Sequence, residues 1–406
     1  MNALKKQVLT VLLLLAASSA FGQEIPEHYH PVRPMAMGGA FTAIANDENA
    51  VWTNPAGVSR IRKARSRSVV NLIKFPNAVV GANASGQAFS KLMQTNTDDT
   101  ASSIAENAEE LQAKPFWAMG GAFPMMMFDF GRQFAAVTGG FAHTTLKAAV
   151  DTEDPLISST QVISDVGGVA SFSLTNKSNR LNFGFQLRTI GRYAYEDVVA
   201  TTDLIDTAVM QEKLKNDSNR SAALGVDLGF MWTLGDFWYP TVGISVLNAP
   251  LGCKEEYLNP FSKQRETVCG TKFTGSFANP DAISTIDPTD IRIGFSITPR
   301  LGRKIGLRIA ADIHHFHVAS GENNYGLSEI PILKKIHAGV ELFTGNPLTP
   351  SPISVSMGMS QGYYTMGAAL RLSFLSLDIA TFGRDISTTE SPQEDRRIMG
   401  GLSIDF

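Results

Sequence analysis

Nine charged side chains recur at alternate positions of otherwise apolar segments: Arg188, Asp227, Arg292, Arg308, Asp312, Glu341, Arg371, Asp378 and Asp405. Enclosed together, such carboxylates and guanidinium groups would pair and hold neighbouring segments in place. An arginine among them could instead grip a carboxylate cargo, since its planar fork matches a carboxylate in two parallel hydrogen bonds. The pattern does not select which arginine. His314, His315 and His317 form a second group. Adjacent residues of a strand face opposite sides, so these three imidazoles would not converge on one metal without a bend. His28 and His30 are ambiguous in the same way, and no metal ligand set is assigned. Cys253 and Cys269 fall in one long connection, where a disulfide would add about 3 kcal/mol on the loop-entropy argument. No nucleophile–base–acid pattern and no phosphate-cradling glycine loop stands out, so neither an enzyme nor a cofactor is expected.

The segments that carry these charges alternate with a period of two, as a strand with differently solvated faces does. From Leu181 to Arg188 the odd positions are apolar and the even ones polar or glycine. The same rule runs through Leu224–Phe230, Ile291–Ile297, Ile305–Ile313, Ile336–Leu342 and Leu375–Ile379. At the C-terminus Ile398, Leu402, Ile404 and Phe406 share one parity, and Ser403 and Asp405 the other. About fourteen segments are expected as strands: 67–83, 115–126, 133–147, 160–175, 180–195, 219–233, 239–248, 290–300, 303–313, 333–343, 352–360, 364–373, 375–384 and 396–406. Most approach or exceed the ~9–11 residues of a tilted membrane strand. Connections after even-numbered strands are short, as at 129–132, 176–179, 235–238 and 301–302. Most after odd-numbered strands are long: 84–114, 196–218, 249–289, 314–332 and 385–395. Short turns on one side and long loops on the other is the outer-membrane barrel arrangement, and a soluble sandwich has no reason for it. Two long loops are expected to be partly helical, 86–112 and 202–215. Either they pack on the barrel rim or they form an outer apolar binding surface.

Composition fits that class. Charged residues make up only 18% of the chain, and 35 glycines and 24 phenylalanines accompany them. A mean hydropathy of −0.01 is what averaging a lipid face with a lumen face produces. The net charge of −3 gives no reason to expect nucleic acid as a partner. Lys5 and Lys6, the apolar run Val8–Ala17 and the small residues after it predict a signal peptide over 1–22, cut after Ala20 or Gly22. No later stretch is apolar enough over ~18–20 residues to be a membrane helix. The expected organisation is a signal peptide (1–22), an N-terminal hatch (23–64) and a barrel (65–406).

Residues 31–62 do not alternate, and small residues dominate them. A 14-stranded barrel is too wide for its own side chains to fill, so this compact stretch is expected inside it as a plug. Gly38, Gly39, Asp47, Asn54, Pro55 and Ala56 are the residues expected to shape it. The stretch resembles the N-terminal hatch of the long-chain fatty acid transporter (FadL) family. Met37-Gly38-Gly39-Ala40-Phe41, then Ala45-Asn46-Asp47-Glu48-Asn49-Ala50, then Asn54-Pro55-Ala56-Gly57 carry the likeness. It extends to the strands around Ala311-Asp312 and Lys335–Glu341 and to the last hairpin, from Thr381-Phe382-Gly383-Arg384 to Phe406. Residues 63–290 match only in rhythm.

The resemblance implies an all-β, 14-stranded antiparallel transmembrane barrel in the outer membrane of a Gram-negative-type bacterium, with its lumen plugged by the hatch. It implies uptake of hydrophobic small molecules such as long-chain fatty acids, landing on an outer apolar patch and leaving sideways through the wall. Membrane lipid and a hydrophobic ligand are the expected partners. Related branches act as structural or secretion-adaptor barrels, which would hold a protein partner on the outer loops.

Overall fold

The structure is a computed structural model. It describes residues 29, 31–61, 70–83, 115–131, 133–151, 154–259, 264–276, 285–302, 304–316, 330–345, 351–372, 374–386 and 393–406. The signal-peptide segment, His28, His30, His317 and the 86–112 segment lie outside the described residues.

Fourteen antiparallel wall positions close into a barrel. In chain order they are β1 (Val70–Asn83), β2 (Phe116–Ala122) continued by β3 (Met125–Asp129), β4 (Phe134–Val150), β5 (Ile157–Thr175), β6 (Leu181–Ala200), β7 (Asn219–Thr233) and β8 (Thr241–Leu247). After the outer-loop strands β9–β12 come β13 (Asp290–Ile297), β14 (Ile305–Ile313), β15 (Ile336–Thr344), β16 (Ile353–Ser360), β17 (Tyr363–Arg371), β18 (Leu375–Asp385) and β19 (Glu394–Asp405). Each pairs with its sequence neighbour in the wall, and β1 closes on β19. Closure leaves no open edge, the condition for backbone to cross hydrocarbon.

Parity sorts the side chains by solvent. Phe183, Leu228, Ile309, Val340, Leu377 and Ile398 are exposed on the outer surface, while Asn182, Asp227, Arg308, Glu341, Ser376 and Arg397, one residue away, are buried in the lumen. A wall apolar outside and polar inside is a lipid-facing barrel.

Three features depart from the sequence expectation. The second strand, expected unbroken over 115–126, is interrupted at Phe123-Pro124 between β2 and β3. Pro124 has no N–H to give the ladder, so the pairing is interrupted there. The strands beside loops also extend further than expected, β5 from Ile157 and β6 to Ala200. Finally, the 249–289 connection contains a three-stranded sheet of β9 (Gly252–Leu258), β10 (Arg265–Lys272) and β12 (Ile286–Pro288), while β11 (Thr274–Ser276) joins β7. These strands are too short to display a long alternation. Tyr257, Val268, Ile286 and Ile330 form the sheet's own small core, and Cys253 and Cys269 are cross-strand partners joined by a disulfide. The 202–215 segment is helical, as α-helices over Thr201–Ile205 and Thr207–Asp217.

Residues 31–61 fill the lumen and are buried almost throughout. They form short helices at Val32–Ala36 and Ala50–Thr53 and a 3-10 helix at Pro55–Arg60. The wall meets this plug backbone to backbone. A Cβ built on Gly184 would lie 2.1 Å from the Ala56 nitrogen, one on Gly243 2.3 Å from the Thr42 oxygen, and one on Gly339 2.3 Å from the Met37 oxygen. Gly229, Gly294, Gly358 and Gly367 are equally close to hatch or neighbouring wall atoms. Glycine at these inward positions is what lets the hatch seat. Gly38 and Gly39 are in the left-handed region, φ 68° and 85°, where the plug turns beneath His337.

Candidate functional site

The hatch is fastened to one side of the lumen by charge. Arg33 donates Nε and Nη2 to both Glu341 oxygens at 2.8 Å, and Nη1 to Asp47 at 2.5 Å and Asn46 at 2.9 Å. Arg308 pairs with the same Glu341. Arg371 reaches Asp47 at 3.1 Å, Asp378 at 3.6 Å and Glu48 at 3.7 Å. Lys74, buried on β1, lies 3.3 Å from Glu48 and 2.9 Å from Asp405 on β19. The hatch acidic pair Asp47-Glu48 thereby ties Arg371 of β17 to Lys74, the β1 lysine that pairs with β19 at the barrel seam. Asp312 accepts from the backbone nitrogens of Phe41 and Thr42 at 2.8 and 2.7 Å. Asn54 caps the 3-10 helix by accepting from Ala56 N and donates to the Thr42 carbonyl at 2.8 Å. Pro55 is the first residue of that helix, where its missing N–H costs nothing.

Above the hatch, towards the long loops, a partly open space of about 120 Å³ forms a vestibule. Its floor is the hatch, with Tyr29, Pro34, Met35 and Trp52; its rim carries Asp165, Arg188, Asp227, Asp290 and Arg292. Arg188 pairs with Asp227 at 2.8 Å, and Arg292 with Asp290. Arg192 grips Asp165 and Asp287 in two forks, 2.6–3.0 Å, and lies 3.8 Å over the Phe273 ring. Asp287 belongs to β12, so this arginine docks the disulfide-bonded sheet into the barrel mouth. His314 stacks on His337 at 3.8 Å and His315 turns to Asp290, so the two histidines serve different neighbours.

The opposite side of the lumen is greasy. Trp52 packs on Tyr29, Phe123 and Phe141, with ring centroids 4.3, 5.2 and 5.5 Å apart. Leu72, Met125, Met127, Val137 and Val169 continue this surface across β1 and β3–β5 against Phe41, Ile44, Val51 and Val58 of the hatch. The surface ends at the Phe123-Pro124 interruption, opposite Gly139 and Gly140 of β4: a Cβ on Gly139 would lie 2.4 Å from the Pro124 oxygen.

All eight charges from Arg188 to Asp378 that parity assigns to the lumen point there, in three groups: Arg188 with Asp227, Arg292 with Asp290, and Arg308, Asp312, Glu341, Arg371 and Asp378 around the hatch. Sequence reasoning passed over Arg33, Glu48, Lys74, Arg192 and the Trp52 cluster as site residues. Arg192 shares the parity of Arg188 and was accessible on that ground. Lys74 was not, because the ladder shifts register between Lys74 and Asn77 and so reverses the parity of β1.

No protein-family model matches the sequence, and no curated protein matches it either. Solved structures do match along nearly the whole chain. The Ralstonia pickettii toluene transporter TbuX is 11% identical with a TM-score of 0.51, covering 94% of this chain and 99% of its own. The Pseudomonas putida toluene transporter TodX is 10% identical with a TM-score of 0.51, covering 96% and 99%. A TodX deletion mutant, a monoaromatic hydrocarbon channel, reaches 0.54 at 10% identity, covering 93% and 98%. The protein therefore has the outer-membrane barrel fold of these hydrocarbon channels.

Proposed function

We propose that the protein is an outer-membrane channel for uptake of hydrophobic small molecules, which leave sideways through the wall beside the β2–β3 interruption. The asymmetry of the hatch contacts carries this reading. Pulling the hatch out would part Arg33 from Glu341, Lys74 from Glu48, and Arg371 from Asp47 and Glu48, and breaking a buried ion pair costs roughly 3–5 kcal/mol. A cargo that cannot pass through the plug has to go around it. The apolar surface from Trp52 to Phe123 leads from the vestibule floor to the wall where the strand is broken and glycines thin it.

The vestibule also bears on cargo size. An apolar cavity of ~150 Å³ accepts a benzene ring; the vestibule here is smaller, about 120 Å³, and carries charged side chains on its rim. A space this small favours a compact cargo; most of a long-chain fatty acid would lie outside it, in the lateral path. The likeness to toluene transporters points the same way. The inward fastening of the outer sheet through Arg192 gives the adaptor reading no comparable support.

The test is uptake of labelled toluene and labelled oleate into cells or proteoliposomes. Gly140 faces outward beside the break, and a Cβ there meets nothing nearer than 3.7 Å. Gly140→Trp should leave the barrel folded and cut uptake at least tenfold. Unchanged uptake would refute a lateral route at this position.

A further inference from the structure

On the lipid-facing wall, away from the hatch and vestibule, strands β16–β19 and β1 carry a groove of about 650 Å³ lined almost wholly by apolar side chains. Its origin lies in the register. One rung runs Val80, Gly400, Ile379, Ala368, Val355 across the five strands, and the next runs Ala78, Leu402, Leu377, Leu370, Ile353. Large and small residues alternate along the first rung. Gly400 and Ala368 are notches on either side of Ile379, and an added Cβ at Gly400 would meet nothing within 4 Å. Val80 and Ile379 stand on strands two apart, about 10 Å between backbones, so the notch between them is one polymethylene chain wide.

We propose that this groove binds one acyl chain of a phospholipid from the leaflet on the short-turn side. Its walls face hydrocarbon and every backbone group along the rungs is engaged in the ladder, so the occupant must be apolar and cannot be an added strand. The groove begins just above Phe75, Phe374 and Phe406, all exposed at the short-turn end, where an aromatic girdle marks the headgroup level. Gly400 lies six residues from Phe406. At a rise of ~3.4 Å and a tilt of ~40°, that is about 15 Å along the membrane normal, roughly the depth of one leaflet. The site is separate from the cargo route and stands whether or not that route is lateral.

The experiment is chain-labelled phosphatidylethanolamine with the full-length protein in nanodiscs, read by electron spin resonance, together with mass spectrometry of lipid extracted from the purified barrel. Wild type should show about one more motionally restricted phospholipid per barrel than either Gly400→Leu or Ala368→Leu. Ala311→Leu, which adds the same bulk elsewhere on the outer face, should match wild type. Two variants filling different notches guard against a folding defect in one of them. Equal restricted fractions in wild type and both groove variants would overturn the proposal. So would recovery of free fatty acid in place of phospholipid, or a lipid-free dimer joined through this face.

Discussion

The two halves of the lumen wall hold the hatch by different physics. On β13–β19 and β1 buried ion pairs and backbone N–H groups donated to Asp312 are added to an apolar contact of Val32, Met35 and Ala36 with Ala380, Phe382 and Met399. On β2–β5 the contacts are chiefly Phe123, Met125, Met127, Val137, Phe141 and Val169 against Trp52 and its neighbours. A buried charge pair is directional and costly to break, whereas apolar contact is non-directional and can be re-formed around a guest. One half fixes the plug; the other can give way without unseating it.

That contrast is broken most severely at Glu341. Glu341→Gln leaves Arg33 and Arg308 without their shared carboxylate and should cost about 3–5 kcal/mol. Urea unfolding of the refolded barrel would measure the loss, and leakage of small polar solutes would report the loosened hatch. Met125→Leu, a volume-conserving change on the greasy side, should cost under about 1.5 kcal/mol and cause no leak. Equal leakage from both would erase the distinction between the halves.

Removing the disulfide by Cys253→Ser with Cys269→Ser should destabilise the outer sheet by about 3 kcal/mol. Hydrogen exchange should then rise in β9 and β10 and stay unchanged in the wall strands. The glycine contacts come next. Gly184→Ala drives a methyl group into the Ala56 nitrogen and should cost about 1–3 kcal/mol, while Gly120→Ala, with open space around its Cβ, should be near neutral by the same unfolding assay. The smallest effect belongs to Arg180 and Asp236, whose side chains are 42% and 74% exposed. Arg180→Ala should change stability by no more than about 1 kcal/mol.

Much of the barrel was legible because a lipid face and a lumen face impose a period of two on every strand they share. Leu181–Arg188 and Ile305–Ile313 display it without interruption, and their pairing follows. What parity could not convey was anything that suspends the alternation. The β1 register shift displaces side chains to the other face, which hid Lys74, and the Phe123-Pro124 break interrupts its strand while keeping the parity. The short strands of the outer sheet lie outside the membrane, where no two-solvent rule applies. In the hatch, Gly38, Gly39, Asn54 and Pro55 could be picked out as turn and cap formers. That Asp47-Glu48 would meet both Arg371, 324 residues along the chain from Asp47, and a lysine turned inward by a register shift is encoded in no local pattern.

The lateral route is tested most directly by locking the hatch in place. Ser59 of the hatch and Asn182 of β6 already meet at 2.8 Å, so Ser59→Cys with Asn182→Cys offers a cross-link between plug and wall. Passage around a seated hatch requires that toluene uptake by the oxidised variant equal uptake after reduction. Uptake that vanishes on oxidation and returns on reduction would mean that the hatch itself must move.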